Sequence, residues 1–224
     1  LEFRRVLFRS KAVELRLMLT RRRTWVSIVL LAGLPTVVAV FLAVSDVAPR
    51  PGTGPAFLSA VLANGALYPA AALAIVLPLF LPVAVAVVAG EAIAGEAQAG
   101  TLRYLLIRPV GRTRLLVAKL VSVVAYTLLA VVAVSVTAYV VGTQLFGSGP
   151  LPSVSGTELS STAATVRTVL AVLYVGWSML GVAAVALFLS TVTDSPLAAA
   201  LGAVALLVTS GVLVGLEASA SVQP

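Results

Sequence analysis

Charge is missing from most of this chain. Its apolar residues collect into about five stretches, near 25–44, 68–90, 120–141, 169–192 and 196–216, that hold no Asp, Glu, Lys or Arg. Each is close to the roughly 20 residues an α-helix needs to cross the hydrocarbon of a bilayer. Backbone N–H and C=O groups find no water there, so a spanning segment must satisfy them internally. These runs are continuous rather than alternating, which makes them helices and not barrel strands. The expected fold is therefore all-α, a polytopic transmembrane helical bundle with about five spans over residues 25–217. Composition agrees: 60% of the 224 residues are hydrophobic, 10% are charged, and mean hydropathy is +1.12. A water-soluble domain of this length would lack the polar surface to cover such a core.

The second stretch has an ambiguous start, because no charge occurs between Arg50 and Glu91. Pro51, Gly52, Gly54 and Pro55 read as loop. One span is expected here, preceded by an apolar segment near the outer surface. Pro35, Pro78 and Pro82 fall inside spans, where prolines kink helices and are tolerated.

The residue inventory narrows the chemistry. With no Cys and no His, thiol catalysis, the usual metal sites and a Ser/His protease are excluded. Lys11 and Lys119 are the only lysines, and no Walker-A sequence occurs, so the chain cannot hydrolyse ATP alone. No ionisable residue lies deep in a span, which argues against an ion-coupled carrier with an intramembrane carboxylate. No catalytic, cofactor or metal site is expected. The net charge of +7 sits in clusters beside apolar runs, as membrane-flanking charges do, and does not point to nucleic acid.

Those clusters orient the chain. With the N-terminus in the cytoplasm, inner segments carry Lys11, Arg16, Arg21, Arg22, Arg23, Arg103, Arg108, Arg112, Arg114 and Lys119, and outer segments carry Arg50 and Arg167. That bias fits the positive-inside rule. Residues 142–167 then form an external loop. Asp194 or Ser195 can cap the fifth helix, with Pro196 in its first turn. Trp25 and Tyr68 read as interface anchors. Tyr126, Tyr139, Tyr174 and Trp177 could line a path or simply pack. Gly211 and Gly215 fit a helix-packing pair.

The internal segment 91–119, EAIAGEAQAGTLRYLLIRPVGRTRLLVAK, carries the most information. Glu91 and Glu96 open it. Gly100 and Thr101 lead into Leu102, Leu105 and Leu106, which share the i, i+3, i+4 face of a short helix. Arg103 and Arg108 flank that face, Pro109 stops the helix, and Arg112 and Arg114 lead into the third span. Such an element lies in the interface or docks into a partner's groove.

This pattern, with Leu115 and Lys119 completing it, resembles the permease subunit of ABC-2 type transporters. The resemblance implies a cytoplasmic coupling loop at 91–119 that meets an ATP-binding subunit. It places docking on Glu91, Glu96, Gly100, Thr101, Leu102, Leu105, Leu106, Arg108, Pro109, Arg112 and Arg114. It extends to residues 11–24, where the family has a cytoplasmic amphipathic segment; Val13, Leu17 and Leu19 alternate there with Glu14 and Arg16. It implies a second permease copy or paralogue as partner, with ATP held by the partner subunit. The family has about six spans, so a chain with about five reads as a C-terminally truncated fragment. Residues 1–10, LEFRRVLFRS, read as an adapter or cloning scar. The expected function is export across the plasma membrane. A non-transport membrane anchor or scaffold is the alternative, and a secondary carrier a third reading.

Overall fold

A computed structural model describes residues 20–45, 61, 64–100, 112–147 and 161–220. Helices account for almost all of them: α1 Arg22–Val44, a 3-10 turn Gly65–Leu67, α2 Tyr68–Val76, α3 Phe80–Glu91, α4 Ala94–Gln98, α5 Arg112–Phe146, α6 Ser161–Val192 and α7 Pro196–Ala220. The all-α expectation holds. Four helices are long and apolar enough to cross a membrane individually, and the count reaches five if the bent pair α2–α3 is one span.

The exposed surface identifies the solvent. Helix α1 buries Thr24, Ile28, Leu31, Pro35 and Ala39 along one stripe, while Val29, Leu30, Val37 and Phe41 remain exposed. Similar apolar exposure runs along α5, α6 and α7. A helix that is apolar on its outward face as well as its inward one belongs in lipid, because water would penalise that much continuous apolar area. The protein is a membrane protein.

The second stretch departs from the single straight span expected. It breaks between Val76 and Phe80 with a bend of 62°. Pro78 and Pro82 explain it. Neither has an N–H, so the carbonyls of Ala74 and Pro78 lose their i+4 partners, and the ring of each proline crowds the preceding turn. Pro82 falls in the first turn of α3, where a missing N–H costs nothing. Pro35, in contrast, sits within a continuous α1.

Helices also outrun the uncharged stretches. Helix α5 starts at Arg112 rather than near 120, and α5 and α6 cover much of the expected 142–167 loop. At 35 residues, α5 is about 52 Å long, against about 30 Å of hydrocarbon. Its ends must project beyond the hydrocarbon, and that is where Arg112 and Arg114 reside. Residues 1–19, including most of the 11–24 segment, lie outside the described residues.

The chain divides into two compact units. One contains α1, α2 and the adjoining parts of α5 and α6, residues 21–81 and 128–178. Its packing depends on a glycine contact. A Cβ on Gly65 would stand 2.0 Å from the Gly142 carbonyl oxygen, so only hydrogen fits. The Gly65 N–H donates to the Gly147 carbonyl at 2.9 Å. Tyr68, expected at the interface, is instead fully buried. Its hydroxyl donates to the Pro35 carbonyl, and its ring lies 5.6 Å from that of Phe146. The hydrogen bond makes burial of the phenol tolerable.

The second unit includes α4, α7, most of α3 and the remaining parts of α5 and α6. Its core is rich in alanine: Ala86, Ala89, Ala94, Ala118, Ala183, Ala186, Ala199 and Ala200 are buried. Small side chains let backbones approach, which is how helices gain contact in a solvent that gives no hydrophobic drive. Ser195 caps α7 as expected, its Oγ accepting from the Ala198 N–H at 3.3 Å, with Pro196 in the first position. Gly211 and Gly215 have nothing within 4 Å, so they pack no helix of this chain among the described residues.

Candidate functional site: an elbow at the foot of the third helix

The end of α3, the short α4 and the beginnings of α5 and α7 meet in one unit. Helix α3 stops at Glu91, and the chain turns through Ala92 and Ile93 into α4. A turn between two helices leaves C-terminal carbonyls and N-terminal N–H groups without intrahelical partners. Ser190, on α6, supplies them. Its Oγ accepts from the Ile93 N–H at 3.1 Å and the Ala94 N–H at 2.9 Å, and donates to the Gly90 carbonyl at 2.6 Å. One hydroxyl thus uses its single proton and both lone pairs on a segment about a hundred residues distant in sequence.

Gly90 lets α7 close on the same turn. A Cβ there would meet the Pro196 carbonyl oxygen at 2.9 Å and the Ala200 nitrogen at 3.1 Å. A depression of about 220 Å³ flanks this contact, with Glu91, Gln98, Ser195 and Pro196 on its wall. Helix α4 ends at Gln98, and two residues on Gly100 has a φ of +69°, the left-handed stop that glycine adopts at least cost.

An ion pair joins the elbow to α5. The Lys119 ammonium donates to Glu96 Oε1. The lysine side chain is 6% exposed and the glutamate side chain 20%. Desolvating either charge alone would be expensive, so each requires the other. The pair ties the two ends of the segment 101–111 together: Glu96 lies four residues before Gly100, and Lys119 seven residues after Arg112.

The expected docking residues therefore separate into groups. Glu91, Glu96, Gly100, Arg112 and Arg114 fall on or beside the elbow and the start of α5. Glu96 is committed to an internal ion pair rather than presented as a solvated charge. Thr101, Leu102, Leu105, Leu106, Arg108 and Pro109 lie outside the described residues, as does the expected short helix. Sequence reasoning missed Ser190 and did not pair Lys119 with Glu96. The second had a signal, since Lys119 is the only lysine beside the spans. The first had none, because many spans contain serine. Of the aromatics weighed above, Tyr126 is buried, while Tyr139, Tyr174 and Trp177 are exposed.

No group of three or more Asp or Glu side chains is placed to hold a metal ion among the described residues. Among the described residues the elbow is held by the Ser190 hydrogen bonds and the Glu96–Lys119 ion pair.

No curated protein matches this chain. A family model described as a protein of unknown function, DUF2705, matches residues 34–220. That match runs from the middle of α1 to the end of α7 and includes the whole elbow, and on its extent the chain belongs to the DUF2705 family.

Proposed function

We propose that the chain is the transmembrane permease subunit of an ATP-driven exporter of the ABC-2 type. It lies in the plasma membrane with its N-terminus in the cytoplasm. ATP is bound and hydrolysed by a separate subunit, and a second permease copy or paralogue completes the assembly. The observation that carries this reading is the Glu91–Lys119 pattern, anchored at both ends by the Glu96–Lys119 ion pair and the Ser190 hydrogen bonds. A segment that merely enforced topology would need its arginines but not a braced attachment to three helices.

In this mechanism the segment 101–111 docks on the ATP-binding subunit, with Leu102, Leu105 and Leu106 as the apolar face and Arg108, Arg112 and Arg114 as charged flanks. Closure of the ATP-binding subunits displaces it. The elbow passes that displacement to α3 and α5, which rearrange the spans. Such coupling requires a contact whose free energy differs between the two states of the transporter.

The test is co-purification of the full-length chain with its ATP-binding subunit, before and after Leu105→Asp and Leu106→Asp. Burying a carboxylate in an apolar groove should abolish association. Undiminished association would remove the docking role and leave a membrane anchor or scaffold as the better reading.

A further inference from the structure

The depression beside the elbow has two kinds of wall. Glu91, Gln98 and Ser195 bring a carboxylate, an amide and a hydroxyl to it, and Val87, Leu197 and Ala200 bring apolar surface. These walls are ordered by depth. The charge-free stretch of α3 stops at Glu91, and that of α7 starts after Asp194, so both helices cross the hydrocarbon boundary here. Val87 lies four residues from Glu91 and Ala200 five from Ser195, which carries the apolar walls about 6–8 Å towards the lipid side. Gln98 is exposed, and Glu91 and Ser195 are half-buried, so the polar wall can be reached. Val87 and Leu197 are 40% and 65% exposed, so the depression also opens sideways onto acyl chains.

The chemistry of the polar wall selects the ligand. Glu91 gives it negative charge, and no described residue on it is a lysine or arginine. The Glu91 carboxylate, the Gln98 side-chain carbonyl and the Ser195 Oγ are all acceptors. Ser195 uses one lone pair on the Ala198 N–H at 3.3 Å and keeps another, and a carboxylate has about four lone-pair sites and can serve several donors at once. Three acceptor groups on one wall suit a primary ammonium, which has three N–H donors and no acceptor. A bare divalent ion would want about six or more oxygens, and no three acidic groups gather among the described residues. At about 220 Å³ the depression is smaller than the roughly 300–1,000 Å³ of sites for drug-sized ligands, so it takes a small group or the end of a larger one. An ammonium that arrives at the boundary with hydrocarbon attached is the headgroup of an aminophospholipid.

We propose that this depression binds phosphatidylethanolamine, with its ammonium on Glu91, Gln98 and Ser195 and the start of an acyl chain against Val87 and Leu197. The site requires only that the chain be embedded in a membrane, and does not depend on coupling to ATP.

Native mass spectrometry of the full chain tests it, with dioleoyl phosphatidylethanolamine and dioleoyl phosphatidylcholine as probes. The two differ only in N-methylation, which removes the N–H donors and leaves the charge. The wild type should retain the first about 10-fold better, the low end for hydrogen bonds to a charged group. Glu91→Gln keeps the shape and leaves a neutral acceptor, whose bond is about half as strong, so the preference should fall to about 3-fold. Leu197→Trp, at an exposed position on the lip, fills the mouth and should bring the two lipids to equal retention. Equal retention by wild type, or a preference undiminished in both variants, would overturn the proposal. So would displacement of the lipid by an equal concentration of soluble phosphoethanolamine, which would show that a free amine suffices. Weaker co-purification of the ATP-binding subunit with Glu91→Gln, without any lipid preference in wild type, would assign the depression to a basic side chain of that subunit instead.

Discussion

Replacing Lys119 with Met removes the ammonium and keeps most of the volume of its stem. Glu96 then loses the Lys119 ammonium while its side chain stays partly buried. Severing a buried ion pair on one side costs about 3–5 kcal/mol. The lower end applies here, because the Glu96 side chain as a whole is 20% exposed rather than fully buried. The expected loss is thus about 3 kcal/mol, or about 6–12 °C in unfolding temperature for a chain of this length. Glu96→Gln should cost a comparable amount, since the better-buried lysine, 6% exposed, loses the Glu96 charge. The double variant Lys119→Met with Glu96→Gln should cost much less than the sum of the two, because it strands no charge. The assay is a double-mutant cycle on the full chain in detergent, unfolded by heat or by SDS and followed by circular dichroism. A coupling of about 2 kcal/mol or more is expected, near the top of the range for residues in one network. Single variants that each cost under about 1 kcal/mol and simply add would show a solvated surface pair, and the braced elbow would lose its main support.

Two further substitutions probe the joint and the glycine contact. Ser190→Ala leaves the N–H groups of Ile93 and Ala94 without an acceptor and should destabilise by about 1–3 kcal/mol, measured by the same unfolding assay; a neutral effect would mean the turn is held by other contacts. Gly65→Ala drives a methyl group into the Gly142 carbonyl, 2.0 Å away, and should cost about 3 kcal/mol or more, read as loss of folded protein in size-exclusion profiles; normal yield and stability would refute the close approach.

The spans were legible because a bilayer imposes a length and a polarity that few other environments do. Residues 25–44, 120–141, 169–192 and 196–216 each became a helix. Helix ends were less legible. The uncharged run marks where lipid begins, whereas helical hydrogen bonding continues into the interface, so α5 begins at Arg112 while its charge-free part begins after Lys119. The break in the second stretch was only half visible. Pro78 and Pro82 were evident as kinks, but their spacing of four residues removes two successive rungs of the same hydrogen-bond ladder. Tyr68 was misplaced for a different reason. A tyrosine beside a loop ordinarily anchors at the interface, and nothing local reveals that the Pro35 carbonyl lies within reach of its hydroxyl.

The candidate site was legible where it depended on order along the chain and illegible where it depended on packing. The Glu91–Lys119 pattern could be read directly, yet its attachment to α6 through Ser190 could not. That attachment changes what a force on the segment would do. Gly100 and Arg112 are the two points through which 101–111 joins the described structure. If both ends hung free, a push would be absorbed by bending the chain at the turn after α3. With Glu96 held to Lys119 and the turn held by Ser190, the same bending must first break a buried ion pair and three hydrogen bonds. Moving α3 and α5 together becomes the cheaper response. The sign of this comparison, rather than the presence of any single residue, is what the proposed coupling through the elbow rests on.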